Sequence, residues 1–153
     1  WPEYHYAAVA RDWIGKGGRV WLFGSGKDRP VADAIIADLP AEQRGEARIL
    51  AGATSLEQAV DLLSATDAVV SNDSGLMHIA AALNRPLVAV YGSTSPGFTP
   101  PLGDRVAIER LGLDCSPCFQ RECPLGHLNC LRQLEPGRVI TALQGVSAGG
   151  NRP

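Results

Sequence analysis

The sequence lacks several features that would place it in particular protein classes. It has no apolar run approaching the roughly 18 to 20 residues that a helix needs to cross a bilayer, and no secretory signal pattern. It has no excess of positive charge: the formal net charge is -2 and the pI about 5.9, which argues against a nucleic-acid-binding protein. There is no internal repeat. The sequence begins with Trp1-Pro2-Glu3 and not with a methionine. We therefore expect this start to lie inside a longer protein.

The composition that is present is typical of a globular protein. Of 153 residues, 45% are hydrophobic and 20% charged, enough to build a buried core. Five short apolar segments have the pattern of strands, and most are separated by segments whose apolar residues recur at helical spacing. The predicted strands are 19–23, 48–51, 68–71, 86–91 and 105–108. This alternation predicts an α/β fold, a doubly wound, Rossmann-like parallel sheet. We expect one domain over 1–146, with a cysteine-rich insertion at 112–131 and a flexible tail at 147–153.

Short polar residues and glycines concentrate in the loops that follow the predicted strands. Four such loops are 24–28, 51–55, 72–75 and 92–96. In a doubly wound sheet, the loops at the carboxyl ends of the strands line the ligand crevice. The sequence therefore predicts a ligand site at this edge.

The segment 71–78, with the sequence SNDSGLMH, carries the strongest of these signals. A strand ends there and a helix begins at once, so the free N–H groups of Ser74, Gly75 and Leu76 would favour an anion. His78 lies about one turn into that helix and could reach a bound phosphate. Asp73 would repel a phosphate unless its carboxylate caps the helix or accepts from a ligand hydroxyl. The alternative is that residues 72 and 73 only cap a helix and His78 is a core residue.

The other loops carry weaker signals. The segment 24–28 has neither phosphate-loop nor dinucleotide-binding spacing, so Lys27 would either bind a phosphate or a ligand carboxylate or be a surface lysine. Ser93 and Thr94 offer hydroxyls that suit sugar or phosphate oxygens and are also ordinary turn residues. Thr54 begins a capping-box pattern that ends at Glu57, so it either caps a helix or lies in a loop that contacts a base.

All four cysteines fall within one short stretch. They are Cys115, Cys118, Cys123 and Cys130, with His127 between the last two. Four thiolates, or three with His127, could close a tetrahedral structural zinc site. The spacing matches no common zinc-finger pattern, so disulfides or free thiols are the alternatives.

Several stretches together resemble the heptosyltransferase family that builds the inner core of lipopolysaccharide. They are Trp1-Pro2 with the helix after it, 20–25, 50–56, 70–78, 84–92 and 95–101, and the resemblance extends to about residue 144. The Asn-Asp-Ser form of 72–74 is more similar to the second type of heptosyltransferase than to the first. The cysteine segment resembles one branch of that type; other members lack it, so it is not expected to be essential to the reaction.

The resemblance implies a two-domain GT-B glycosyltransferase of family 9, of which this chain is the C-terminal half. The diphosphate-binding loop of the family corresponds to Asp73–Leu76 and His78, its adenine-side loop to the region of Thr54, and its first βα loop to Ser25–Asp28. The family's catalytic carboxylate belongs to the N-terminal acceptor domain, which is absent from this chain. We therefore expect no catalytic residue here, and expect the isolated chain to bind the donor without completing the transfer.

The implied reaction moves L-glycero-D-manno-heptose from ADP to a hydroxyl of the lipopolysaccharide core acceptor. Helix N–H groups with Lys27 could stabilise the diphosphate leaving group, so no cofactor is expected for catalysis. Such an enzyme would be cytoplasmic and could act at the cytoplasmic face of the inner membrane. The alternatives are another GT-B sugar-nucleotide enzyme, such as a 2-epimerase or hexosyltransferase, or a non-catalytic nucleotide- or zinc-binding module.

Overall fold

The computed structural model describes residues 1–148. The chain divides into two compact units, one formed by Pro2–Asp61 and the other by Trp1 with Leu62–Pro153. We describe each unit by itself.

The Pro2–Asp61 unit is built around two parallel strands. Helix α1 (Glu3–Gly15) leads to β1 (Val20–Leu22), and helix α2 (Arg29–Ala37) leads to β2 (Ala47–Ile49). The two strands pair in parallel with Leu22 opposite Ile49. The core lies between α1 and the strands and contains Ala10, Ile14 and Leu39, with Val20 and Ala47 packed against them. Short 3-10 helices at Gly26–Asp28 and Ala41–Glu46 complete the unit.

The second unit contains a three-stranded parallel sheet. Helix α3 (Leu56–Ser64) spans the division between the units. The strands are β3 (Val69–Asn72), β4 (Leu87–Val90) and β5 (Val106–Glu109), in the order β3-β4-β5, and helix α4 (Gly75–Ala82) connects the first two. Helices α5 (Asn129–Arg132) and α6 (Pro136–Ala148) follow. All four residues of β4 are buried, as expected for the central strand of a sheet covered on both faces.

The predicted α/β fold with parallel strands is confirmed. All five predicted strands exist, each within about two residues of its expected ends. Their hydrogen-bonded pairing forms two parallel sheets, whereas the sequence predicted a single one. Hydrophobic patterning identifies strands, but it does not determine which backbones approach within about 5 Å and pair. The single domain predicted over 1–146 stays a prediction.

The carboxyl-terminal region differs from its prediction. Helix α6 continues to Ala148, so residues 147 and 148 of the predicted flexible tail are helical. Residues 149–153 lie outside the described residues. Within residues 1–148, no helix combines the length and apolar character needed to span a membrane.

Candidate functional site

The three-stranded sheet brings two of the four predicted loops to one edge. Asn72 at the end of β3 lies opposite Val90 at the end of β4, and Val90 lies opposite Glu109 at the end of β5. Because the strands are parallel and in register, the segments that follow them leave the sheet at the same edge. Asp73–Leu76 and the loop that contains Ser93 and Thr94 are therefore at this edge.

The N-terminus of helix α4 has the free donors that the sequence predicted. Ser74 is the cap: its backbone is extended, and its Oγ accepts a hydrogen bond of 3.4 Å from the Met77 N–H. Within residues 1–148, the N–H groups of Ser74, Gly75 and Leu76 have no acceptor. These three donors, with the positive end of the helix dipole, form a surface suited to an anion.

Asp73 does not cap the helix, contrary to one of its two predicted roles. Its Oδ2 accepts a 3.3 Å hydrogen bond from the Thr99 hydroxyl, and its Oδ1 lies 3.9 Å from Nε2 of His78. The cap belongs to Ser74 because that residue adopts the extended backbone that precedes the first turn. The His78 side chain is 43% exposed, so it is not the core residue of the alternative interpretation. Asp73 and His78 together form a small polar group beside the helix N-terminus.

Tyr91 and Thr99 are two residues of this edge that sequence reasoning missed. The buried Tyr91 hydroxyl donates a 2.6 Å hydrogen bond to the Thr99 carbonyl, and Thr99 in turn donates to Asp73. Burial, and secondarily the negative charge of Asp73, raises the pKa of Tyr91, against a smaller lowering by the hydrogen bond with Thr99. No spacing in the sequence relates position 99 to position 73, so only the folded chain shows this contact.

The loop after β4 contacts the cysteine segment. The Ser116 hydroxyl donates to the Gly92 carbonyl at 2.5 Å, and the Phe119 N–H donates to the Ser93 carbonyl at 2.7 Å. Within residues 1–148, the hydroxyls of Ser93 and Thr94 have no hydrogen-bond partner and are partly exposed. Both hydroxyls therefore remain available to a ligand.

The remaining predicted residues lie in the Pro2–Asp61 unit. There the Gly52 N–H donates to the Gly24 carbonyl at 3.0 Å, so the loops after β1 and β2 are in contact. The backbone N–H and hydroxyl of Ser25 both donate to Asp28 at 2.7 Å, which occupies the Ser25 side chain. Lys27 is exposed, and within the described residues its ammonium pairs with no carboxylate.

Thr54 does not begin the capping box of α3. The reciprocal hydrogen bonds join Ser55 and Gln58, one residue later than predicted: Gln58 N–H donates to Ser55 Oγ at 3.2 Å, and Ser55 N–H to Gln58 Oε1 at 2.9 Å. The amide oxygen of Gln58 replaces the carboxylate expected from Glu57. Thr54 is therefore free of the capping role and half-buried in the loop after β2.

The four cysteines are reduced and partly buried. The Leu128 N–H donates to Cys123 Sγ at 3.4 Å, and this bond is the main cause that lowers the pKa of Cys123. Burial, followed by the charges of Cys115, Cys118 and Cys123, raises the pKa of Cys130. Within residues 1–148, no three His, Cys, Asp or Glu side chains are already arranged to hold a metal ion. The zinc site stays a prediction.

Comparison with known proteins identifies the family of this chain. The sequence profile of glycosyltransferase family 9 (heptosyltransferase) matches residues 1–129. The chain belongs to glycosyltransferase family 9. Among curated members, the chain is 58% identical over 111 residues to lipooligosaccharide heptosyltransferase 2 of Haemophilus influenzae, covering 72% of this chain and 32% of that protein. It is 47% identical over 146 residues to lipopolysaccharide heptosyltransferase 2 of Escherichia coli, covering 95% and 42%.

Solved structures of family members have the same fold. The structure of E. coli ADP-heptose lps heptosyltransferase II superposes with a TM-score of 0.87 at 44% identity, covering 99% of this chain and 43% of that one. E. coli heptosyltransferase WaaC with ADP gives a TM-score of 0.72 at 28% identity, covering 95% and 39%. The chain thus spans about two fifths of the length of these family 9 proteins.

Proposed function

We propose that this chain is the nucleotide-sugar-binding part of a lipopolysaccharide heptosyltransferase of the second type. The observation that carries the proposal is the N-terminus of α4, where three unpaired N–H groups lie at the sheet edge in a family 9 chain. The donor is ADP-L-glycero-D-manno-heptose. The structure of WaaC with ADP supports a nucleotide ligand for this fold.

The chemistry of the transfer requires an anion site. When the bond between the heptose and ADP breaks, negative charge grows on the diphosphate leaving group. Amide donors fixed at a helix N-terminus stabilise that charge without having to reorganise. We assign this role to the N–H groups of Ser74, Gly75 and Leu76, assisted by the exposed His78 and by the Lys27 ammonium. This arrangement needs no cofactor.

The acceptor side of the reaction is assigned to the part of the relatives that this chain does not cover. The acceptor is a hydroxyl of the lipopolysaccharide core, and the base that removes its proton belongs to the N-terminal domain. The chain alone should therefore bind donor and should not transfer heptose. We place the whole enzyme in the cytoplasm, at the cytoplasmic face of the inner membrane, where its lipid-linked acceptor would be within reach.

Calorimetric titration of the full-length enzyme with ADP tests the donor site. We expect His78→Ala to weaken ADP binding by about tenfold, or about 1.4 kcal/mol, because one donor to a charged phosphate is lost. Lys27→Ala should weaken it by about threefold, the range of an exposed charge pair. Lys16→Ala is the matched control, since it removes an exposed lysine whose partner is Asp12 and should leave binding unchanged.

Two outcomes would contradict the proposal. Wild-type enzyme that binds neither ADP nor ADP-heptose would remove the nucleotide-sugar assignment. Unchanged ADP affinity in both His78→Ala and Lys27→Ala would place the diphosphate elsewhere. Donor profiling of the wild type against other nucleotide sugars separates heptose transfer from the epimerase and hexosyltransferase alternatives.

A further inference from the structure

The residues beside three of the four cysteines contact the same two residues of the loop after β4. Next to Cys115, the Ser116 hydroxyl donates to the Gly92 carbonyl, and next to Cys118, the Phe119 N–H donates to the Ser93 carbonyl. Next to Cys130, the Leu131 side chain packs directly on Gly92: a methyl group there would lie 2.6 Å from Leu131 Cδ2. Two distant parts of the segment are thus held against one short loop.

A tight turn connects Cys123, the remaining cysteine, to Cys130. Cys123 Sγ accepts from the Leu128 N–H at 3.4 Å, and its carbonyl accepts from the Gly126 N–H at 3.0 Å. The Leu128 carbonyl then accepts from the Leu131 N–H at 3.0 Å, at the start of the helix that carries Cys130. The turn therefore holds Cys123 beside the short helix that carries Cys130.

We propose that Cys115, Cys118, Cys123 and Cys130 together bind one Zn²⁺ as a closed, tetrahedral structural site. Four thiols release four protons and supply four thiolates, and no electron is transferred. Their neighbours Ser116, Phe119 and Leu131 all contact Gly92 or Ser93, and none of the four cysteines is in a disulfide. The thiol side chains must turn toward a common centre when the ion binds, because within residues 1–148 no three ligands are yet so arranged.

Such a site would restrict the motion of the loop that contains Ser93 and Thr94. The zinc would crosslink the two parts of the cysteine segment that contact Gly92 and Ser93, and would thereby fix the hydroxyls at the sheet edge. This consequence rests on the proposed function, whereas the existence of the metal site does not. Metal content can therefore be measured independently of nucleotide binding.

The test is the metal content of full-length protein purified without chelator. We expect one zinc per chain by elemental mass spectrometry, and release of that zinc when a mercurial reagent titrates the thiols. Cobalt substitution should give the sulfur-to-cobalt charge-transfer absorption of a four-thiolate site. Zinc below 0.1 per chain after refolding with added zinc would overturn the proposal, as would two disulfides, or iron with inorganic sulfide.

Substitutions separate the ligands from their neighbours. Cys123→Ser and Cys130→Ser should each lower zinc content at least tenfold after treatment with a mild chelator. His127→Ala is the matched control, because the His127 ring Nδ1 accepts from the Asn129 N–H and is not needed for a four-thiolate site. Loss of zinc in His127→Ala with retention in Cys130→Ser would contradict the proposed ligand set. ADP affinity measured on the same preparations reports the donor site separately.

Discussion

The Asp73 carboxylate lies beside the N-terminus of helix α4, and two neighbouring residues determine what it can do. The Thr99 hydroxyl satisfies one of its oxygens and His78 lies 3.9 Å from the other. A carboxylate next to a diphosphate is unfavourable unless hydrogen bonds or a positive charge compensate it. The His78 ring is close enough to Asp73 that we expect the two residues to act together in the proposed donor site.

A substitution of Tyr91 tests whether its hydrogen bond to Thr99 stabilises the carboxyl-terminal edge of the three-stranded sheet. Tyr91→Phe removes the 2.6 Å hydrogen bond to the Thr99 carbonyl and should lower the free energy of unfolding by about 1 kcal/mol. The pKa of Tyr91 is raised in the folded protein, so its stabilising contribution is complete below pH 10 and is lost as pH rises through the folded pKa. Urea unfolding measured at pH 8 and pH 10.5 checks both effects.

The control is Tyr4→Phe, since the Tyr4 side chain is 47% exposed. Its unfolding free energy should match that of the wild type at pH 8. If Tyr91→Phe destabilises no more than Tyr4→Phe does, the hydrogen bond with Thr99 contributes nothing to this edge.

At the level of elements, helix α4 begins at a cap, Ser74, that also adjoins the proposed anion site. Ser74→Ala removes the acceptor for the Met77 N–H and should cost about 1 kcal/mol of unfolding free energy. Ser74→Asp keeps an acceptor at the cap and should retain stability, but its negative charge should weaken ADP binding. Chemical unfolding and calorimetry of both variants separate the two roles. Equal stability of the alanine variant and the wild type would show that Ser74 does not cap the helix.

The contact between the loops after β1 and β2 depends on a glycine. Gly52 has φ of +71°, and a methyl group there would lie 2.8 Å from the Gly26 Cα. Gly52→Ala should therefore lower the unfolding free energy by about 2 kcal/mol or more, through a left-handed backbone and a backbone clash. Gly26→Ala is the control in the same contact, since its methyl group would meet nothing within 4 Å. Thermal unfolding that shows equal losses in both variants would contradict this assignment.

At the scale of the whole molecule, two parallel sheets each present their loops at the carboxyl ends of their strands. Ser25, Lys27 and Thr54 lie in one unit, while Asp73–Leu76, His78, Ser93 and Thr94 lie in the other. The chain spans about two fifths of the length of its relatives, so the proposed heptose transfer has to be tested on the full-length enzyme.

The strands and the junction between β3 and α4 could be predicted because they depend on local pattern. Apolar runs of four to six residues separated by helical spacing identified all five strands, and the polar residues after the third strand identified the start of a helix within 71–78. The sequence could not show which residue caps each helix. Ser55 caps α3 and Ser74 caps α4, although Thr54 and Asp73 were equally suited by residue type. Neighbouring Ser, Thr and Asp residues all offer an oxygen, and the backbone angle decides which one reaches the free N–H.

Short-range spacing and contiguous motifs were sufficient to predict the α/β class, the parallel strands, the helix beginning just after Asn72 and the family. The pairing of the strands as two sheets, the hydrogen bond from Thr99 to Asp73 and the contact of the cysteine segment with Gly92 are visible only in the folded chain. These contacts join residues that are 18 or more positions apart. They depend on how the backbone packs, which local patterning does not encode.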